Sequence, residues 1–239
     1  MVNAITESML NRLTFKDNKL RRAIGKEVIE SYLYDIIEQL DTVTWISREL
    51  SYKKGKDKLL TSDVIAAEVN KVIFYDTKAI TPSLKLRKFD AVEIEKDIQI
   101  YAEDVIQIYN QIKNYLQGLF QLDKSYSKDS IFGIVVVLED TIVSRKKVYE
   151  KAYEILQETM MLSEVEKNYI CSHIKVLSLR SIECMILQNT SLLPELTSQL
   201  DKPEKWCDYT YTNATTENGI IPLYAQFEYD IKNRIRKQV

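Results

Sequence analysis

A single histidine, His173, is all that this 239-residue chain holds of the side chain most used for proton transfer near neutral pH. A serine hydrolase triad or a histidine-rich metal centre is therefore excluded in its usual form, and His173 reads as a structural residue. The three cysteines, Cys171, Cys184 and Cys207, are odd in number and match no zinc spacing. They read as reduced, mostly buried thiols. Five glycines and four prolines are too few for a collagen-like or linker-rich chain. No apolar run approaches the roughly 18 residues of a membrane-spanning helix. Residues 1–16 lack an uninterrupted apolar stretch, so a cytoplasmic protein without a secretory leader is expected. A surplus of positive charge is missing too. Thirty-three Lys and Arg stand against 35 Asp and Glu, so any nucleic-acid role must rest on a local patch within a balanced whole.

What is present is the composition of a folded protein. Hydrophobic residues make up 45% and charged residues 28%, enough to build a core and too apolar for wholesale disorder. Residues 18–41 place Ile29, Tyr32, Leu33, Ile36, Ile37 and Leu40 on one helical face. Residues 42–49 read as a first strand, and 51–58 as a polar loop carrying Lys53, Lys54, Lys56 and Lys58. Two short β-prone runs, 64–67 and 72–75, flank Asn70 and predict a hairpin. A second basic loop follows with Lys85, Arg87 and Lys88. A long helix is expected over 92–122, with Ile94, Ile98, Tyr101, Val105, Ile108, Ile112, Tyr115 and Leu119 on its broad face. Residues 123–130 form the best internal connector. The run IFGIVVVL at 131–138 suits a strand buried on both faces. Helix is expected over 139–161 and partly over 182–199, a strand over 175–179, turns over 202–219 and helix from 223 onward. The order predicts an α/β fold with a mixed sheet flanked by helices. Residues 1–122 would form its core, and 123–239 a C-terminal α/β extension packed on that core.

The chemistry concentrates in TSDVIAAEVNKVIFYDTKA, residues 61–79. Side chains alternate along a strand, so Asp76 and Lys78 share a face while Thr77 points away. A turn near Val69–Asn70 or Asn70–Lys71 brings Asp63 to the same face and the same end of the hairpin. Two carboxylates within a few ångströms repel, and burial adds to the penalty. A hard divalent cation relieves both, because it prefers oxygen ligands, and it can polarise a phosphoryl oxygen and acidify bound water. An ammonium beside it can orient that water or stabilise developing negative charge. This is chemistry suited to phosphodiester hydrolysis.

At these residues the chain resembles the PD-(D/E)xK superfamily, the restriction-endonuclease-like nucleases. Asp63 is followed after twelve residues by the Asp76-Thr77-Lys78 triplet, with Ser62 where the motif name has proline. The resemblance implies a third acidic ligand on the helix before the sheet, which Glu30 matches best, with Glu27 as a rival. It also implies a Q-x-x-x-Y element on the following helix, matched by Gln111 and Tyr115, with Gln107 one turn earlier. On this resemblance Glu30, Asp63 and Asp76 would hold Mg²⁺, with Mn²⁺ as a substitute. Lys78 would position or activate the attacking water, and Gln111 would orient the lysine or a phosphate. The resemblance covers residues 20–120.

The function implied is a metal-dependent nuclease acting on DNA in preference to RNA, in a restriction or phage-defence setting. The two basic loops would contact phosphates. With no recognisable DNA-reading module in the sequence, specificity would come from a homodimer or a partner subunit. The competing reading is a nuclease-fold subunit that no longer cuts and serves a complex as a structural or nucleic-acid-binding part. The intact Asp63, Asp76 and Lys78 set favours the enzyme. A third reading, a mainly helical interaction protein, would require residues 61–79 to lie outside any sheet.

Overall fold

The computed structural model of the chain describes residues 25–78, 86, 88–138, 143–179, 181–183, 192–198 and 200. A π-helical turn, Gly25–Glu30, leads into α1 (Ser31–Glu38), and β1 (Val43–Arg48) follows. A small ribbon of β2 (Ser51–Lys54) and β3 (Asp57–Leu60) precedes the hairpin of β4 (Val64–Glu68) and β5 (Lys71–Lys78). Beyond it come α2 (Ala91–Leu116), β6 (Ile131–Val137), α3 (Arg145–Thr159), α4 (Glu164–His173), β7 (Ile174–Ser178) and α5 (Leu192–Ser198). Five strands form one sheet in the order β1-β4-β5-β6-β7, and β2–β3 stand apart as a second, two-stranded sheet. The first three strands pair antiparallel and the last three parallel, giving the mixed α/β sheet flanked by helices that the sequence predicts.

Alternation along the strands divides the core between two faces. Ile65, Val72, Phe74, Val135 and Val176 face α2 and its neighbours. Val64, Ala66, Ile73, Tyr75, Ile134 and Leu177 face α1, through Leu33, Ile36 and Ile37, and α5. β4, β6 and β7 are buried along their whole length because helices cover both sides. The helix ends are set by local chemistry. Asp90 caps α2 by accepting hydrogen bonds from the amides of Val92 (3.0 Å) and Glu93 (3.3 Å). Gly118, with φ +75°, closes it in a Schellman turn, in which its amide meets the Tyr115 carbonyl (2.8 Å) and that of Leu119 meets Asn114 (3.0 Å).

Several boundaries differ from the sequence reading. The glycine stops α2 at Leu116 rather than at residue 122. The predicted helix over 139–161 occupies Arg145–Thr159, and α4, opened by a Ser163–Glu166 capping box, was not expected. Residues 51–58 are a hairpin ribbon and not a loop. β6 and β7, which follow residue 123, lie inside the five-stranded sheet, β6 running parallel to β5 over seven residue pairs. His173 is stacked between Phe132 and Tyr169, with centroids 5.0 and 4.3 Å away, which suits a structural residue. Cys184, Cys207, Lys85, Arg87 and everything expected over 202–239 lie outside the described residues. Among those described, no helix is long and apolar enough to cross a membrane.

The contact that sets the distance of α2 from the sheet is made at Gly133 of β6. A Cβ there would overlap Ile108 Cγ2, so the absent side chain lets the helix lie directly on the strand. Gly133→Ala is expected to destabilise the fold by about 1–3 kcal/mol through overpacking. Urea unfolding followed by circular dichroism measures this, and a midpoint equal to wild type would show that the helix can retreat freely.

Candidate active site

The hairpin places the site. Glu68 pairs with Lys71, so Val69 and Asn70 form the turn, and Val64 pairs with Tyr75. Asp63, one residue before β4, therefore comes level with Asp76 at the end of β5. Asp76 and Lys78 point to the face covered by α2, and the Lys78 ammonium lies 2.7 Å from Asp76 Oδ2. Asp63 secures the same strand end differently. Its Oδ2 accepts hydrogen bonds from the Thr77 amide (2.6 Å) and hydroxyl (2.7 Å), pinning the centre of the D-x-K triplet.

From the other side α2 presents a polar stripe within its apolar face. Asp104 Oδ1 lies 3.3 Å from the Lys78 ammonium. Gln107 Oε1 accepts from that ammonium at 3.1 Å, while its Nε2 donates to Asp76 Oδ1 at 3.4 Å. Lys78 is thus held by three α2-face partners: Asp76, Asp104 and Gln107. The sequence match pointed instead to Gln111. In the structure Gln111 is buried and accepts a hydrogen bond from the Ser62 hydroxyl, bracing the segment that carries Asp63. Tyr115 packs against Phe74 and Phe120 in the core. Asp104 was not singled out from sequence, although its signal was legible. It is an acidic residue on the buried stripe of a helix, one turn before Gln107.

Glu30 ends the π-helical turn that lies against β5, and it is half-buried. The side chain of Glu27 lies outside the description. Among the described residues, no three His, Cys, Asp or Glu side chains are gathered into a group that could hold a metal ion. Glu30 is therefore not assembled with Asp63 and Asp76 into a three-carboxylate set.

Burial governs the electrostatics. The side chains of Asp76 and Asp104 are only 5% and 12% exposed, and that of Lys78 is 21% exposed. Asp76 is raised to about 6, chiefly by burial; Lys78 pulls it down, and the Asp63 and Asp104 charges add to the rise. Asp104 is also raised, chiefly by burial, against the pull of Lys78. For Lys78 burial alone acts downward, yet Asp76 and Asp104 outweigh it and hold the ammonium above its ordinary value. The cluster is short of positive charge: two buried carboxylates share one lysine, with Asp63 alongside.

No protein-family model matches the chain, and no curated protein matches it. Among solved structures, a likeness is found to the small subunit of a heterodimeric restriction endonuclease. It has 9% identity and a TM-score of 0.33, covering 79% of this chain and 92% of that one.

The raised Asp76 carries a pH signature. Its folded pKa of about 6 exceeds the ordinary 3.8, so between these values the folded state binds more protons than the unfolded one. This group's contribution to stability is fully present below about pH 3.8 and is lost as pH rises through about 6. His173, lowered by burial to about 4, acts oppositely in the same window, but it is common to wild type and Asp76 variants. The melting temperature of Asp76→Asn minus that of wild type should therefore rise from pH 4 to pH 7. A difference independent of pH would show that Asp76 is not perturbed.

Proposed function

We propose that this chain is a metal-dependent nuclease that hydrolyses phosphodiester bonds, DNA being its preferred substrate. The observation that supports this most is the convergence of Asp63, Asp76 and Lys78 at one end of the β4–β5 hairpin, with Lys78 fixed from α2 by Asp104 and Gln107. Such a cluster of desolvated charge is unfavourable in itself, and perturbed groups of this kind gather at functional sites.

The residues suit a hard cation. Asp63 and Asp76 supply oxygen donors, and among the described residues the hydrogen bonds given to Asp63 fall on Oδ2 alone. Mg²⁺ commonly takes one or two carboxylates together with water and substrate phosphate oxygens, so these two residues suffice without Glu30. When bound, such a cation polarises a phosphoryl oxygen and acidifies a bound water. The chain's own groups do the rest. Lys78, held above its ordinary pKa, stays an ammonium and donates hydrogen bonds to the attacking water or to a phosphate oxygen. It is unsuited to act as a base. Asp104 and Gln107 are positioning residues that fix the direction of its Nζ. Thr77 holds the Asp63 carboxylate in place, and Ser62 with Gln111 braces the strand entry behind it.

Cleavage of labelled duplex DNA, single-stranded DNA and RNA, each with Mg²⁺, Mn²⁺ or EDTA, tests the reading. Cutting is expected with either metal and none with EDTA, and Asp76→Ala or Lys78→Met should lower the rate by about 100-fold or more. Full activity in either variant would overturn the site assignment. Failure of wild type to cut any substrate would favour a non-catalytic subunit of a complex. Asp104→Asn removes one of the two carboxylates that raise Lys78, so the alkaline limb of the pH–rate profile should move to lower pH. A profile reduced in height but unmoved would mean that Asp104 only supports the fold.

A further inference from the structure

The β2–β3 ribbon carries the sequence SYKKGKDKLL, four lysines against one aspartate in a chain whose formal charge is −2. Its register separates two faces. Tyr52 pairs with Leu59 and Lys54 with Asp57 on the inner face, while Lys53 pairs with Lys58 and Ser51 with Leu60 on the outer one. The inner face is anchored. Tyr52 packs on Phe120 with ring centroids 4.8 Å apart, its hydroxyl accepts from Asn114 Nδ2 (2.8 Å), and Lys54 Nζ donates to Asn114 Oδ1 (3.0 Å). The base is closed by Leu50 and Thr61, through a hydrogen bond of 2.9 Å from the Thr61 amide and one of 2.8 Å to its hydroxyl.

The outer face has no such partners. Lys53, Lys56 and Lys58 are exposed, and among the described residues no hydrogen bond or ion pair engages them. Lys53 and Lys58 stand directly across from each other, a like-charge pairing that destabilises an isolated ribbon and that a bound anion would relieve. Lys56 sits at the tip beside Gly55, whose φ of +63° makes the tight turn.

The ribbon and the active site are also joined. Asn114, which anchors the ribbon, and Gln107, which holds Lys78, lie on one stripe of α2, seven residues apart. That is about 10 Å along the helix, or about three base-pair steps of a duplex. We propose that the outer face of this ribbon grips the phosphate backbone of duplex DNA and leads it to the Asp63–Asp76–Lys78 site. The inference rests on the nuclease reading for its destination and adds where the substrate is held. Such contacts position the duplex without reading its sequence.

Fluorescence anisotropy of a labelled DNA duplex in EDTA, with the full chain, measures affinity across a series of salt concentrations without cutting. Wild type is compared with the triple variants K53Q/K56Q/K58Q and K53R/K56R/K58R. The glutamine variant should bind more weakly, with the slope of log K against log salt shallower by about 0.9 per lysine removed. The arginine variant should bind and melt as wild type does, and the glutamine variant should melt no lower than wild type, because the changed side chains are exposed and the glutamines remove the Lys53–Lys58 repulsion. In Mg²⁺ the glutamine variant should show a raised KM with kcat retained. A glutamine variant with unchanged affinity and slope would overturn the grip, as would a wild type that binds no duplex. Cutting with an unaltered KM in the glutamine variant would refute the grip while leaving the nuclease reading intact. Lysine-dependent binding without metal-dependent cutting by wild type would uphold the grip and refute the nuclease reading.

Discussion

The distance between α2 and the sheet is the constraint on which the site depends. It is set where Ile108 lies over Gly133 of β6, the strand position paired with Phe74 of β5. Asp76 lies two residues beyond Phe74 on the same face, and Gln107 is the helix residue next to Ile108. Close seating at this one point lets Asp104 and Gln107 reach Lys78 at hydrogen-bonding and ion-pairing distance. A side chain on residue 133 would lift the helix, and the polar stripe would no longer meet the strand end.

The same closeness creates the electrostatic tension. Packing α2 against β5 removes water from Asp76 and Asp104, and a single ammonium is left to balance them with Asp63 nearby. Buried carboxylates that must share a cation destabilise a fold, whereas an apolar strand end would pack at no such cost. The rest of the molecule offsets this with apolar interior strands covered on both faces and with the aromatic group of Tyr52, Phe74, Tyr115 and Phe120. The β2–β3 ribbon shows the same pattern at the surface, with an apolar and hydrogen-bonded inner face beneath an outer face of opposed lysines.

Much of this was legible in the residues. The hairpin, its turn and the shared face of Asp76 and Lys78 follow from alternation with period two and from a turn-forming Asn70, and the buried character of β6 from its unbroken apolar run. The basic segment 51–58 was misread as a loop because its charge hides the pattern. Tyr52 and Leu59 still alternate with lysine, and Gly55 supplies the turn. α4 was missed although Ser163 and Glu166 have the spacing of a capping box. The literal motif match points to Gln111 because it takes no account of position along the helix axis, on which Gln107 and Gln111 share one stripe a turn apart. Gln107, one turn earlier, is the residue that lies over Lys78, and Gln111 lies over Ser62.

Local order in this protein was therefore determined by the sequence alone. Strand and helix periodicity, turn residues and the pairing of Asp63 with the D-x-K triplet all act over short distances along the chain, where geometry is nearly fixed by residue type. Only the tertiary structure decided which side chains complete the site. The parallel pairing of β5 with β6 and the seating of α2 on Gly133 bring together residues up to about 60 apart. Desolvation, which raises Asp76 and forces Lys78 to be shared with Asp104, does not exist until that packing forms. The charge state of the site is a property of the packed protein and not of any segment within it.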